Sequence, residues 1–340
     1  MIVRSKAPLR LGLAGGGTDV SPYCDRFGGA ILNATINLYA YASIEPTTEK
    51  NIQIESIDRK VSVSYSSDFV LPKDGKLELI KAVYEKVVRK FSLEPLSFKL
   101  STYIDAPAGS GLGSSSTLVV AILGAFTEWL KLPLGEYDIA HLAYEIERVD
   151  MKMAGGRQDQ YSATFGGVNF MEFYSDDKVI VNPLNIKDQY LKELAHNLLL
   201  YYTETNRFSS DIIESQVKHV ISDNSNAIEA THQLKKQASL MKEVLLKGDI
   251  NEVGRILDFG WQNKKGLTEG ITNEFIDKIY STAIENGATG GKISGAGGGG
   301  FMVFYCPGNS RYKVIESLQQ FGGYEKKYSF TKEGLNSWTI

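Results

Sequence analysis

Cysteine is almost absent from this chain of 340 residues: only Cys24 and Cys306 are present. Two thiols cannot build a disulfide framework, and a reducing, cytoplasmic setting is the expectation. Long apolar runs are missing too. The longest, Leu118 to Phe126, is interrupted by Gly124 and is far too short to span a bilayer, and the opening Met1-Ile-Val-Arg-Ser-Lys6 lacks the apolar core of a signal peptide. Charge of one sign does not dominate. A formal net charge of −3 gives no general reason to expect nucleic acid or an anionic membrane as partner, so any anion site must be local. No internal repeat or low-complexity segment stands out, apart from seven glycines between Gly290 and Gly300. What remains, 43% hydrophobic and 23% charged, is an ordinary globular composition with length for two sizeable cores.

Glycine is plentiful where it can do chemistry. In Pro107-Ala-Gly-Ser-Gly-Leu-Gly-Ser-Ser-Ser116, Gly109, Gly111 and Gly113 alternate with Ser110 and Leu112 and run into Ser114, Ser115 and Ser116, which open the apolar helical stretch Thr117 to Leu130. Glycines tolerate positive φ and close approach, so successive N–H groups can turn toward an anion while the helix adds its positive N-terminal end. The run Leu96 to Ile104 reads as a strand, giving the order strand, glycine loop, helix that phosphate sites require. A nucleotide is the expected guest.

Two common nucleotide motifs are excluded. The nearest Walker-type spacing ends at Gly291-Lys292, but Asn286 stands for its first glycine and Ile293 follows the lysine. Gly295, Gly297 and Gly300 match a dinucleotide fingerprint in letters, yet the β-rich run Phe301 to Tyr305 follows where a helix N-terminus is needed. A single glycine loop would read as a tight turn. Three dense glycine clusters in one chain argue against that.

The first half mixes strands, at 40–44, 52–57 and 61–65, with a helix at 77–90 whose apolar residues Leu79, Ile80, Val83, Val87 and Val88 follow helical spacing. A helix at 137–151 leads to Gly155-Gly156, then Gln158-Asp159-Gln160, and Gly166-Gly167 opens a strand at 168–173. Ser175-Asp-Asp-Lys178 marks a lobe boundary, giving lobes of 1–175 and 176–340. The second is expected to hold a strand at 198–203, helices across 209–286, a strand at 300–306, a helix at 311–321 and a short β stretch near Tyr328, an α+β layout.

Taken together, Lys6-Ala-Pro-Leu-Arg10 through Leu13-Ala-Gly-Gly-Gly-Thr-Asp19, the glycine loop, and Lys292-Ile-Ser-Gly-Ala-Gly-Gly-Gly-Gly-Phe301 resemble, in order and separation, the three blocks of the GHMP small-molecule kinase superfamily. Gly155-Gly-Arg-Gln-Asp-Gln160 is similar to the segment carrying the catalytic aspartate in its sugar-kinase branch. The resemblance covers nearly the whole chain. It implies a two-lobed α+β fold, with an N-terminal α/β lobe like ribosomal protein S5 and a ferredoxin-like C-terminal lobe. It also implies ATP and Mg²⁺ as cofactors, a small sugar phosphate as substrate, no nucleic-acid or membrane partner, and a homodimer as one allowed assembly. Galactokinase-like enzymes carry Gly-Glu-His-Thr-Asp where this chain has Gly15-Gly-Gly-Thr-Asp19. The form seen here resembles the branch of heptose 7-phosphate kinases, as do the segments Trp261 to Lys265, Gly270 to Asn273 and Gly290 to Lys292. That branch implies phosphorylation of the anomeric hydroxyl to give heptose 1,7-bisphosphate for nucleotide-activated heptose. A fucose or other hexose kinase, or a non-catalytic sugar sensor, are the alternatives.

Residue by residue, the resemblance assigns Asp159 as general base and Arg10 as its basic partner. Ser115 and Glu147 match the Mg²⁺ ligands, with Glu145 as rival to Glu147. Asp19 becomes the acceptor of sugar hydroxyls, with Gly15 to Gly17 letting the backbone approach; Gly16, Gly17 and Thr18 join it as substrate-binding residues, and Gly297 and Gly298 shape the pocket from the second lobe. The remote phosphate of the substrate needs cations, for which Arg157, Arg207, Lys264 and Lys265 are the candidates. As a cap or turn residue, Asp159 would instead do only structural work.

Overall fold

A computed structural model describes residues 1–205 and 209–340. In chain order the elements are β1 (Val3–Ala14), α1 (Tyr23–Phe27), β2 (Gly29–Pro46), β3 (Asn51–Ser56), β4 (Val61–Ser66), α2 (Glu78–Lys90), β5 (Phe98–Ile104) and α3 (Ser114–Leu130). Then follow α4 (Glu136–Tyr144), a π-helical turn (Glu145–Asp150), α5 (Gln158–Phe165), β6 (Val168–Phe173), β7 (Val179–Pro183), α6 (Asp188–Asn197) and β8 (Leu198–Tyr202). The remainder comprises α7 (Ser209–Ile221), α8 (Ser225–Lys247), α9 (Glu252–Lys265), α10 (Glu274–Glu285), β9 (Gly290–Ile293), β10 (Phe301–Tyr305), α11 (Ser310–Leu318), β11 (Tyr324–Glu325) and β12 (Asn336–Thr339).

The long strand β2 organises the first sheet. Its residues Gly29 to Ala34 pair with β6 and Ala40 to Pro46 pair with β5, while β1 runs along its other side. The path β12-β1-β2-β5-β3-β4, with β6 and β7 branching from β2, makes eight strands. All of these pairings are antiparallel except β3 with β5. Helix α3 lies on β1 and β2, and its stretch Ser116 to Phe126 is buried all round, as a run without polar periodicity demands. In α2 the buried residues Ile80, Val83, Tyr84, Val87 and Val88 recur at helical spacing and form one packed stripe.

The second sheet, β11-β8-β10-β9, is antiparallel and is backed by α9, with α10 and α11 packed beside it around Trp261, Tyr280 and Phe304. Helix α8 reaches back to β1 and β2, so the lobes share apolar contacts as well as backbone. Strands β7 and β12 both follow residue 175 and yet belong to the first sheet. No helix among the described residues is long and apolar enough to cross a membrane.

Two expectations change. The helix expected over 137–151 becomes α-helical only to Tyr144 and then widens into the π turn, which shifts the facing of Glu145 to Asp150. The β stretch expected near Tyr328 is the two-residue β11 at Tyr324–Glu325, paired with β8, followed by a single bridge from Phe330 to Ile36.

Candidate active site

A cleft of about 660 Å³ opens between the two lobes, walled by the first glycine block, the glycine loop before α3, the start of α5 and the C-terminal glycine cluster. Gly109, Gly111 and Gly113 all adopt left-handed φ, at 74°, 79° and 77°, and Gly113 caps α3. The alternation thus produces the expected winding. Ala108, Gly109, Gly111, Gly113 and Ser114 to Ser116 line the cleft, whereas Pro107, Ser110 and Leu112 do not; Ser110 and Leu112 turn inward and are fully buried.

The C-terminal cluster is the other half of this loop's support. A Cβ on Gly111 would lie 2.4 Å from the backbone oxygen of Ser294, and one on Gly300 would lie 2.7 Å from that of Ser110. Ser294 Oγ donates to Gly111 O at 2.8 Å, and Phe301 N donates to Ser110 O at 3.0 Å. Glycine is required because the two lobes meet there backbone to backbone. Gly297 lines the cleft; Gly298 instead donates its N–H to Ile271 O at 2.9 Å and stays out of the lining.

Strand β1 and helix α5 bring Arg10 and Asp159 together. Arg10 Nε donates to Asp159 Oδ1 at 2.8 Å, its Nη2 stands 2.7 Å from the same oxygen, and its Nη1 donates to Gly111 O at 2.6 Å. Arg10 is buried, while the Asp159 side chain keeps 21% of its surface exposed to the cleft. Oδ2 of Asp159 takes no hydrogen bond among the described residues and lies 3.1 Å from where a Cβ on Gly113 would be. One oxygen is fixed and the other faces the last glycine of the cradle.

Asp19 lines the cleft and also supports α5. Its Oδ2 accepts from Arg157 N at 2.8 Å and Gln158 N at 2.9 Å, capping α5 and thereby setting the helix that carries Asp159. Burial pushes its carboxyl above the usual range, opposed by those backbone donors. Gly156 must be glycine because a Cβ there would fall 1.9 Å from the Asp19 carboxylate. Thr18 does not reach the cleft: its hydroxyl donates to Ala30 O at 2.9 Å and accepts from Ala30 N at 3.0 Å.

The π turn places Glu147 beneath the cradle helix. Ser115 Oγ donates to Glu147 Oε1 at 2.9 Å, and Gln160 Nε2 donates to Oε2 at 2.5 Å. Glu147 is fully buried, with Arg148 3.9 Å away as its nearest cation. Glu145 points elsewhere, to Lys86 at 3.3 Å and His141 at 3.7 Å. A hydroxyl and a buried, incompletely neutralised carboxylate fit Mg²⁺, which takes few protein oxygens besides phosphates and water. No cluster of three or more His, Cys, Asp or Glu that could cage a metal by itself occurs among the described residues.

The basic candidates separate. Lys264 lines the cleft and donates to Gly295 O. Arg157 lies outside the lining, its guanidinium engaged by Asp25 at 3.1 Å, Asp177 at 2.9 Å, Tyr174 O at 2.9 Å and Ser21 at 3.2 Å. It ties α1 and the β6–β7 turn to α5. Lys265 stands over the Trp261 ring, away from the cleft. Arg207 lies outside the described residues. Sequence reasoning missed Lys292 as a cleft cation. Its Nζ donates to Gly12 O at 2.9 Å, and the signal was a lone lysine inside the strand Gly290-Gly-Lys-Ile293. Gln158 was also missed as a lining residue; its buried Oε1 has no partner.

Comparison with known proteins identifies the family. A model described as the GHMP kinases N terminal domain matches residues 78–167, and one described as GHMP kinases C terminal matches residues 241–323. A D-glycero-alpha-D-manno-heptose 7-phosphate kinase of Campylobacter jejuni is 48% identical over 338 residues, covering 99% of each chain. A crystal structure described as a D-glycero-D-manno-heptose 1-phosphate kinase from Bacteriodes thetaiotaomicron aligns with a TM-score of 0.85 at 47% identity, again over 99% of both chains. The mevalonate kinase of Methanococcus jannaschii, 19% identical over 97% of this chain and 98% of its own with a TM-score of 0.76, shares the fold. With both domain models matched in order and near-half identity along its whole length, this chain belongs to the GHMP kinase family.

Proposed function

We propose that this kinase transfers the γ-phosphoryl group of ATP to the anomeric hydroxyl of a heptose already phosphorylated at its far end, giving a 1,7-bisphosphate in the cytoplasm. The observation that carries the reading is the Arg10–Asp159 pair, held with one free carboxylate oxygen against the last glycine of a phosphate cradle. Whole-chain identity of 48% to a heptose 7-phosphate kinase supports the sugar.

Phosphoryl transfer asks protein mainly for positioning and for charge neutralisation. The cradle N–H groups and the start of α3 would bind the polyphosphate. Asp159 would accept the hydroxyl proton at Oδ2 while Arg10 fixes Oδ1 and offers positive charge beside the reacting oxygens. Asp19, by capping α5, would hold Asp159 in register. Ser115 and Glu147 would hold Mg²⁺, with Gln160 fixing the carboxylate. When bound, Mg²⁺ would neutralise the phosphate oxygens and orient them.

The two near relatives, a heptose 7-phosphate kinase and a heptose 1-phosphate kinase by name, differ over the position of the phosphate, so the test must resolve position. ADP release is measured with heptose 7-phosphate, heptose 1-phosphate, free heptose, fucose and galactose, and the product is identified by phosphorus NMR. Heptose 7-phosphate is expected to lead in kcat/KM by at least about 10²-fold, the discrimination available when a site built for a charged group meets a substrate lacking it. Equal or better turnover of fucose would overturn the heptose assignment and leave a hexose kinase.

A further inference from the structure

Two of the cations that border the cleft, Lys264 and Lys292, are 4% and 5% exposed. They come from different elements, the end of α9 and strand β9, and both sit on the second-lobe side. Among the described residues neither forms an ion pair. Each ammonium donates to a single backbone carbonyl, Gly295 O for Lys264 and Gly12 O for Lys292, and an ammonium has three donors. Both retain donor capacity.

Their electrostatic setting is unfavourable. Burial, then the nearby Arg10, lowers Lys264 to about 8, with Asp19 acting in the opposite sense. Burial, then Lys264 and Arg10, holds Lys292 well below the usual lysine range. Arg10 already pairs with Asp159, and Asp19, which opposes the lowering of Lys264, is turned to the backbone N–H groups of Arg157 and Gln158 and forms no ion pair with either lysine. Buried cations without carboxylate partners are costly, and they are tolerated where a ligand supplies the missing charge.

We propose that Lys264 and Lys292 form a phosphate subsite on the second-lobe wall of the cleft, distinct from the glycine cradle on the first-lobe wall. This inference rests on the phosphotransfer reading of the cleft. Two sources offer the same chemistry: the phosphate the sugar already carries, and the phosphoryl group in transit. In either case the two ammonium groups donate to phosphate oxygens while remaining anchored to Gly295 and Gly12.

The first measurement needs no turnover. Inorganic phosphate is titrated calorimetrically into the intact protein without nucleotide at pH 8.5, in buffers of different ionisation enthalpy. Binding at lysines that have given up their protons draws protons back onto them, so net proton uptake is expected. No phosphate binding would overturn the subsite. Lys264→Met and Lys292→Met should each weaken phosphate by about 10 to 10²-fold, the loss of a charge-assisted hydrogen bond. Lys264→Arg and Lys292→Arg, which keep the cation, should weaken it less. Wild-type affinity in both methionine variants would also overturn the proposal.

Kinetics with the same variants separate the sources. If the substrate's own phosphate binds here, the preference for phosphorylated over free sugar collapses. If the transferring group does, kcat falls alike on both. A protein that binds phosphate at the lysines but turns over no sugar would sink the kinase reading and spare the subsite. An active kinase whose phosphate binding ignores both lysines would do the reverse.

Discussion

Two clusters of cations and carboxylates flank the start of α5, and they differ in what they leave unpaired. Behind the helix, Arg157 meets Asp25, Asp177, the Tyr174 carbonyl and the Ser21 hydroxyl, and only its Nε lacks a partner. In front, Arg10 holds one oxygen of Asp159 and leaves the other open, while Lys264 and Lys292 stand with no carboxylate of their own. The rear cluster has paired its charges, and that one buried N–H is what its arginine leaves over. The front one is incomplete, and that incompleteness is what a substrate can use.

If this contrast is right, the largest effect comes from the free oxygen in front. Asp159→Asn keeps the size of the side chain but removes the proton acceptor. Turnover is expected to fall by about 10²–10⁴-fold, the range for a positioned general base, with nucleotide affinity close to wild type. Rapid-quench kinetics beside equilibrium ATP titration would check both halves. A variant within a few-fold of wild type would return Asp159 to the structural side of the comparison.

Next in size is the contrast between two glutamates of the π turn. Glu147→Gln should raise the Mg²⁺ concentration for half-maximal rate by about 10 to 100-fold, as loss of a group that holds or orients a metal commonly does. Glu145→Gln, which loses only contacts to Lys86 and His141, should leave it unchanged. The reverse result in a Mg²⁺ titration would mean that the turn faces the other way during catalysis.

How much of this was legible in the sequence follows from how local each cause is. The cradle was readable because alternate glycines before serines and an apolar run can do few other things, and Gly109, Gly111 and Gly113 do take up the expected φ. Strand β6 was readable from its flanking glycines. Strand β1 was not assigned, although Ala7, Leu9, Leu11 and Leu13 alternate with Lys6, Pro8, Arg10 and Gly12, because a proline and a glycine inside the run weaken a strand reading; it exists by pairing with β2 and with β12, more than three hundred residues away. Arg157 and Arg10 look alike as letters, and only Asp25 and Asp177, brought in by α1 and the β6–β7 turn, tell them apart. Gly156 was visible as a break, but its reason, the Asp19 carboxylate beneath it, is tertiary.

The rear cluster should answer in stability. Arg157→Met removes several charge-assisted hydrogen bonds from the junction of α1, α5 and the β6–β7 turn. Because the Asp25 and Asp177 side chains are 33% and 49% exposed, water can reclaim part of the loss. A destabilisation of about 1–3 kcal/mol is expected, with kcat of the folded fraction near wild type. Denaturant melts beside steady-state rates would check it. An intact midpoint with lost preference for phosphorylated sugar would move Arg157 to the front.

The smallest effect is a pH dependence of stability carried by the lysines of the front cluster. An unfolded Lys264 keeps its proton up to its ordinary value of 10.5, whereas in the folded protein burial and Arg10 release it near 8. Between those values the unfolded chain binds more protons, so folding stability should rise with pH across that window, and below about 8 Lys264 should add no slope. Lys292, held well below the usual lysine range by burial, Lys264 and Arg10, adds to the same trend. Denaturant midpoints at pH 7.5 to 10 should therefore climb more in the wild type than in Lys264→Met, and saturating phosphate should flatten the difference by holding the ammonium charged. Parallel profiles for the two proteins would show that Lys264 titrates like an ordinary lysine, and the front cluster would then be as well compensated as the one behind it.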